Sequence, residues 1–111
     1  MFGSMSFLDS PPYEARKVDR YEGDGFTIDT CSVVDALKSF ETGIRHPRYK
    51  GADDWMIVEY YDTREEAQAG HDKWVEQMTA ETLPPYIDDI ASDEWNRAWG
   101  NFGRYELKSE A

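Results

Sequence analysis

A chain of 111 residues that is 40% hydrophobic suffices for one domain with a modest core. A formal net charge of −11 argues against direct binding to a nucleic-acid backbone or an anionic membrane, since both need clustered Lys and Arg. One cysteine excludes an internal disulfide, and no apolar run approaches the roughly 20 residues that span a bilayer.

Met1 to Tyr13 reads as an arm. Phe2, Met5, Phe7 and Leu8 are apolar, Gly and Ser separate them, and Ser10-Pro11-Pro12 ends the segment stiffly. Met1 to Leu8 lacks the basic and long apolar regions of a secretory leader, so a soluble intracellular site of synthesis is expected. Glu14 to Tyr21 reads as a charged edge strand. Glu22-Gly23-Asp24-Gly25 is a hairpin turn, because Gly and Asp reach positive φ cheaply. Phe26 to Cys31 follows as a second strand, with Cys31 a small buried side chain. Ser32 to Leu37 fits either strand or turn. Phe40 to His46 is a third strand despite Gly43, and His46 to Asp54 is loop and turn.

Trp55 to Tyr61 is expected to be the central strand. It is apolar on both faces, with Trp55, Ile57 and Tyr61 on one and Met56, Val58 and Tyr60 on the other. Only one face can meet a helix. The other needs a second cover, for which a partner chain is one candidate. After the Asp62-Thr63 corner, Arg64 to about Thr79 reads as a helix. Thr63 with Glu66 three residues on is a capping box, and Glu65 and Glu66 sit at the positive end of the helix dipole. Ala67, His71, Trp74, Val75 and Met78 share one face. Gly70 breaks the pattern at about 1 kcal/mol relative to alanine, which close packing of the helix on a strand would explain. Leu83-Pro84-Pro85 stops the helical region. Tyr86 to Ala91 reads as irregular. Ser92 offers a second cap, and Trp95, Ala98, Trp99 and Phe102 make a short amphipathic helix ended by Gly100 or Gly103. Arg104 to Ala111 is a polar tail.

The fold class expected is α+β: a small antiparallel sheet of about four strands, one main helix over 64–79 on one face, and a short C-terminal amphipathic helix. An arm (1–13) precedes a single domain (14–84), and an extension (85–111) follows it. Trp55, Ile57, Val58, Glu59, Ala67, Gly70, His71, Trp74, Val75 and Met78 are the expected structural core.

Chemistry is hard to find. His71 on the helix and Glu59 on the adjacent strand could form a general base or half a metal site. A buried histidine satisfied by a carboxylate or a carbonyl is the plainer and preferred reading. His46, Asp53, Asp54, His71 and Cys31 are too scattered for a zinc site. No nucleophile motif and no phosphate-cradling glycine loop is present in the sequence. No catalytic residue, metal or cofactor is therefore expected.

Asp29-Thr30-Cys31, Phe40-Glu41-Thr42-Gly43-Ile44 with His46-Pro47 and Tyr49, then Trp55, Ile57-Val58-Glu59 and Tyr61-Asp62-Thr63, and Glu65 to Val75 with its Gly-His-x-x-Trp element, resemble a group of small tailed-bacteriophage proteins. The resemblance covers roughly residues 14–84. It implies a viral origin and carries no activity with it. Two functions fit. The preferred one is a non-catalytic minor virion or assembly component held by its terminal arms, with Phe2, Met5, Phe7, Leu8, Trp95, Trp99 and Phe102 as partner-binding residues. The alternative is a small acidic inhibitor of a host defence or nucleic-acid-binding protein, in which acids such as Asp9, Glu14, Asp19, Asp24, Asp53, Asp54, Asp88, Asp89, Asp93 and Glu94 imitate phosphates. Either places the protein in a virion or the host cytoplasm, with other proteins or a second copy as partners. An enzyme is the least favoured class.

Overall fold

The computed structural model describes residues 12–34, 38–91 and 103–109. A single helical turn, α1 (Tyr13–Arg16), leads into β1 (Lys17–Glu22), β2 (Thr27–Ser32), β3 (Phe40–Arg45) and β4 (Met56–Tyr61). Helix α2 (Arg64–Met78) follows, then β5 (Tyr86–Asp89) and β6 (Gly103–Glu106). The first four strands form an antiparallel sheet in the order β1-β2-β3-β4, and β5 pairs with β6 in a separate antiparallel ribbon. The architecture is α+β, as the sequence pattern predicts.

Local chemistry explains the elements that matter most. Gly25 takes φ +85 in the β1–β2 turn, where a side chain would be strained. Thr63 Oγ1 accepts the Glu66 N–H at 3.1 Å, and Glu66 Oε1 accepts the Asp62 N–H at 3.2 Å. The box thus closes one residue earlier than its usual form. Helix α2 lies across all four strands. Ile28, Ile44, Tyr49, Met56 and Ile87, with Met78 from the helix, form the buried core.

Several expectations are corrected. The first strand begins at Lys17, because Tyr13–Arg16 is helical. β4 is the last strand of its sheet, not the central one. Its outer edge is met by the ribbon: Ile90 N–H donates to Ile57 O at 2.8 Å. Its simple alternation is broken too. Thr42 pairs with Glu59 while Gly43 pairs with Ile57, so Val58 is the extra residue of a bulge. The bulge turns Glu59 and Tyr61 to the helix side with Met56, leaving Trp55 and Ile57 on the other. Tyr86–Ala91 is not irregular, and the tail is not merely polar, since they supply β5 and β6. Ile87 of β5 enters the same core as the main domain. The expected Trp95–Phe102 helix and the arm residues Phe2, Met5, Phe7 and Leu8 lie outside the described residues.

Gly70 is where the helix approaches most closely. A Cβ there would overlap the Tyr61 ring. Gly70→Ala gains about 1 kcal/mol of helix propensity. Overpacking of a filled core costs about 1–3 kcal/mol. A net loss of up to about 2 kcal/mol is expected in urea unfolding, and a stabilised variant would show that Tyr61 moves aside freely.

Candidate functional site

Helix α2 covers a continuous line of polar side chains. His71 is 2% exposed, and its Nδ1 lies 2.8 Å from Thr30 Oγ1. Thr30 Oγ1 lies 2.6 Å from Thr42 Oγ1, which is 3.0 Å from the Tyr61 hydroxyl. Tyr61 donates to Glu59 Oε1 at 3.1 Å. The same oxygen accepts Lys73 Nζ at 2.7 Å and Trp74 Nε1 at 2.9 Å. Strand alternation places Thr30 and Thr42 here: they are directly paired on β2 and β3 and face the helix.

The protons in this line have one arrangement. Ionised Glu59 can only accept, so the Tyr61 O–H is committed to it. Tyr61 oxygen must then accept from Thr42, Thr42 from Thr30, and Thr30 from His71. Neutral His71 therefore carries its proton on Nδ1 and presents a lone pair at Nε2. Asp19 Oδ2 faces Nε2 at 3.9 Å, too far for a hydrogen bond.

Each end of the line opens to a groove beside the helix. The His71 end meets one of about 440 Å³ between β1 and α2, lined by Asp19, Arg20, Tyr21, His71, Asp72, Val75 and Glu76. The Glu59 end meets one of about 410 Å³ lined by Tyr60, Tyr61, Glu66, Gly70 and Lys73, among others. Burial pushes the His71 imidazole down, against the raising fields of Asp19, Asp72 and Asp29. Burial would raise the Glu59 carboxyl, yet the bonds from Lys73, Trp74 and Tyr61 and the Lys73 charge hold it below the usual range. Burial raises the Tyr61 phenol, reinforced by Glu59, so it stays protonated.

A third groove, about 390 Å³, lies on the sheet face turned away from α2. Tyr13, Arg16, Asp29, Cys31, Val33, Glu41, Gly43, Trp55 and Ile57 line it. Tyr13 donates to Asp29 Oδ2 at 2.9 Å, and Arg16 reaches Ser32 O at 3.1 Å, so α1 covers one corner of the sheet. Arg45 packs over the Trp55 ring. Cys31 is half-buried, and burial raises its thiol, which leaves it a poor nucleophile.

The structure separates the two residues that sequence proximity suggested as a pair. His71 meets Thr30 and Asp19, whereas Glu59 meets Tyr61, Lys73 and Trp74. Ala67, Gly70, His71 and Met78 are buried, and Trp55, Ile57, Val58, Glu59, Trp74 and Val75 are partly buried. No group of three or more His, Cys, Asp or Glu among the described residues is placed to hold a metal ion. Thr30 and Thr42 escaped sequence reasoning as members of this line, because threonine is ordinary in strands, and Asp19 was singled out only among the acids that could imitate phosphates. No protein-family model, curated protein or solved structure matches the chain.

Both histidines make stability depend on pH. Burial lowers His71 and also His46, where the Arg48 charge adds to it. A depressed folded value means that the unfolded chain binds protons first. Their contribution is complete above the ordinary value of 6.5 and is lost as pH falls from there through the folded values. Urea midpoints should therefore be level above about pH 7 and lower by about pH 5. A midpoint unchanged across that interval would rule this out. Asp19, Glu59 and Asp88 are also held low, and add a second loss as pH falls through their depressed values, below the ordinary 3.8 and 4.5.

Proposed function

We propose that the chain is a non-catalytic protein-binding module, a minor virion or assembly component of a tailed bacteriophage, that engages its partner through the sheet face turned away from α2. The observation that carries this reading is the groove on that face, with Trp55, Ile57 and Val33 among its walls. No strand or helix among the described residues covers it except the short α1. Residues 1–11 join the described chain at Pro12, beside Tyr13 on the groove wall. Val34, next in the chain to the groove residue Val33, is 73% exposed. The resemblance over residues 14–84 supports the viral setting.

The test is light scattering after size exclusion, for the full chain and for a form lacking residues 1–11, together with analysis of purified particles. Incorporation into particles that is lost on removal of 1–11 is expected. Absence from particles, with both forms monomeric, would overturn the reading. One observation favours the second reading, an acidic inhibitor of a host protein: Glu65, Glu66, Asp72 and Glu76 are all exposed on α2. That protein would be missing from particles and would form a soluble stoichiometric complex with its target.

A further inference from the structure

We propose that the groove between β1 and α2 is a receptor for one arginine side chain of a partner protein, read by His71 Nε2 and the carboxylates of Asp19, Asp72 and Glu76. This assignment is independent of the open sheet face and of whether the protein enters particles.

Three observations carry it. First, the hydroxyl line leaves Nε2 as a bare acceptor on a 98% buried ring that lines the groove. It faces a second acceptor, Asp19 Oδ2, at 3.9 Å with no proton between them. A planar group with two parallel N–H bonds satisfies two such neighbours together. Second, the rim is acidic, and the chain's own cations are committed elsewhere. Arg20 lines the groove, but its guanidinium bonds Glu22 Oε2 and Asp29 Oδ2, both at 2.9 Å. Lys73 is held by Glu59 at 2.7 Å. The neutral Gln68 amide bridges Asp19 and Asp72, at 2.9 and 3.0 Å, and the Arg20 backbone N–H donates to Asp19 Oδ1 at 2.8 Å. The Glu76 carboxylate has no partner among the described residues. Third, Tyr21 and Val75 supply walls for the methylene stem of the incoming side chain.

Acid should oppose binding. The charged groups around His71 are Asp19 and Arg20 from β1, Asp29 from β2, and Asp72, Lys73 and Glu76 from α2. β3 and β4 connect to it through the Thr42 and Tyr61 hydroxyls. Protonation occurs at Nε2, the one free position, and turns the acceptor into a cation directed at Asp19. An arginine then loses one partner and meets a like charge.

The experiment uses the full-length, nitrogen-labelled protein and follows the His71 ring nitrogens during titration with an acetylated Gly-Arg-Gly amide. In the free protein Nδ1 should carry the proton. Arginine peptide should shift Nε2 saturably at millimolar concentration, and the shift should weaken as pH falls below 6.5. The citrulline and lysine versions should bind weakly or not at all. The Asp72→Asn/Glu76→Gln double variant changes only exposed side chains and should bind about fivefold more weakly. A proton on Nε2 in the free protein, equal binding of the citrulline or lysine peptide, an unaffected double variant, or no shift at all would each overturn the proposal.

Discussion

Thr42→Val is expected to lower the unfolding free energy by about 2–4 kcal/mol. Valine matches threonine in shape, so the packing around position 42 barely changes. The hydroxyl it removes stands in the middle of the line. Thr30 then donates to nothing, and Tyr61 oxygen loses one donor and is left with the Trp74 indole N–H. Thr30 is fully buried and Tyr61 nearly so, and a buried group that loses its hydrogen bond costs about 1–3 kcal/mol. Thr42→Ser keeps the hydroxyl and should lose only about 1 kcal/mol, the worth of one methyl group. A Thr30→Val/Thr42→Val pair should cost less than the sum of its parts, because the donor orphaned by one change is removed by the other. Valine at 42 within about 0.5 kcal/mol of the parent would mean that the hydroxyls find other partners, and the tautomer assigned to His71 would go with it.

The contrast between Thr42 and α2 shows what a one-dimensional reading could reach. Thr63, Glu66 and the spacing of Ala67, His71, Val75 and Met78 are local signals, and the helix they predict is found within a residue of its expected end. The Gly23–Gly25 turn is local as well. β5 and β6 gave no comparable signal. Tyr86-Ile87-Asp88-Asp89 is four residues long, half acidic and preceded by two prolines, and its partner begins at Gly103. Such pairing is set by tertiary contact with β4, which no window of sequence contains. The β4 bulge was hidden for a related reason. One inserted residue, Val58, reverses the facing of everything beyond it, and strict alternation therefore put Tyr61 on the wrong side. His71 was recognisable as buried, but its partners were not, since a threonine pair on neighbouring strands looks like ordinary β composition.

Asp89→Ala should detach the β5–β6 ribbon from β4, at a cost of about 3 kcal/mol. Asp89 is 9% exposed and does three things at once. Its Oδ1 accepts the Ile57 N–H at 3.2 Å and the Ala91 N–H at 3.1 Å. Its Oδ2 accepts Lys50 Nζ at 2.8 Å. Burial alone would push the Lys50 ammonium down, yet the Asp89 bond and charge raise it. Without Asp89 the ammonium keeps the Trp55 carbonyl at 3.0 Å, the face of Tyr105 and the weaker field of Asp54. The β4 edge loses the acceptor for Ile57; among the described residues Ile90 N–H to Ile57 O then remains as the backbone bond to β4, with Lys108 N–H to Arg48 O tying the far end of the ribbon to the β3–β4 loop. The damage should therefore be local. Amide exchange at Ile57, Ile90 and the β5–β6 pairs should accelerate strongly, while the β2–β3 amides keep most of their protection. Thr42→Val should instead raise exchange across β2 and β3 in proportion to the global loss. If Asp89→Ala accelerates exchange equally in β2 and β3, the ribbon is part of the cooperative core and the edge of β4 has no separate opening. If only the ribbon opens, β4 is an edge held shut by one carboxylate.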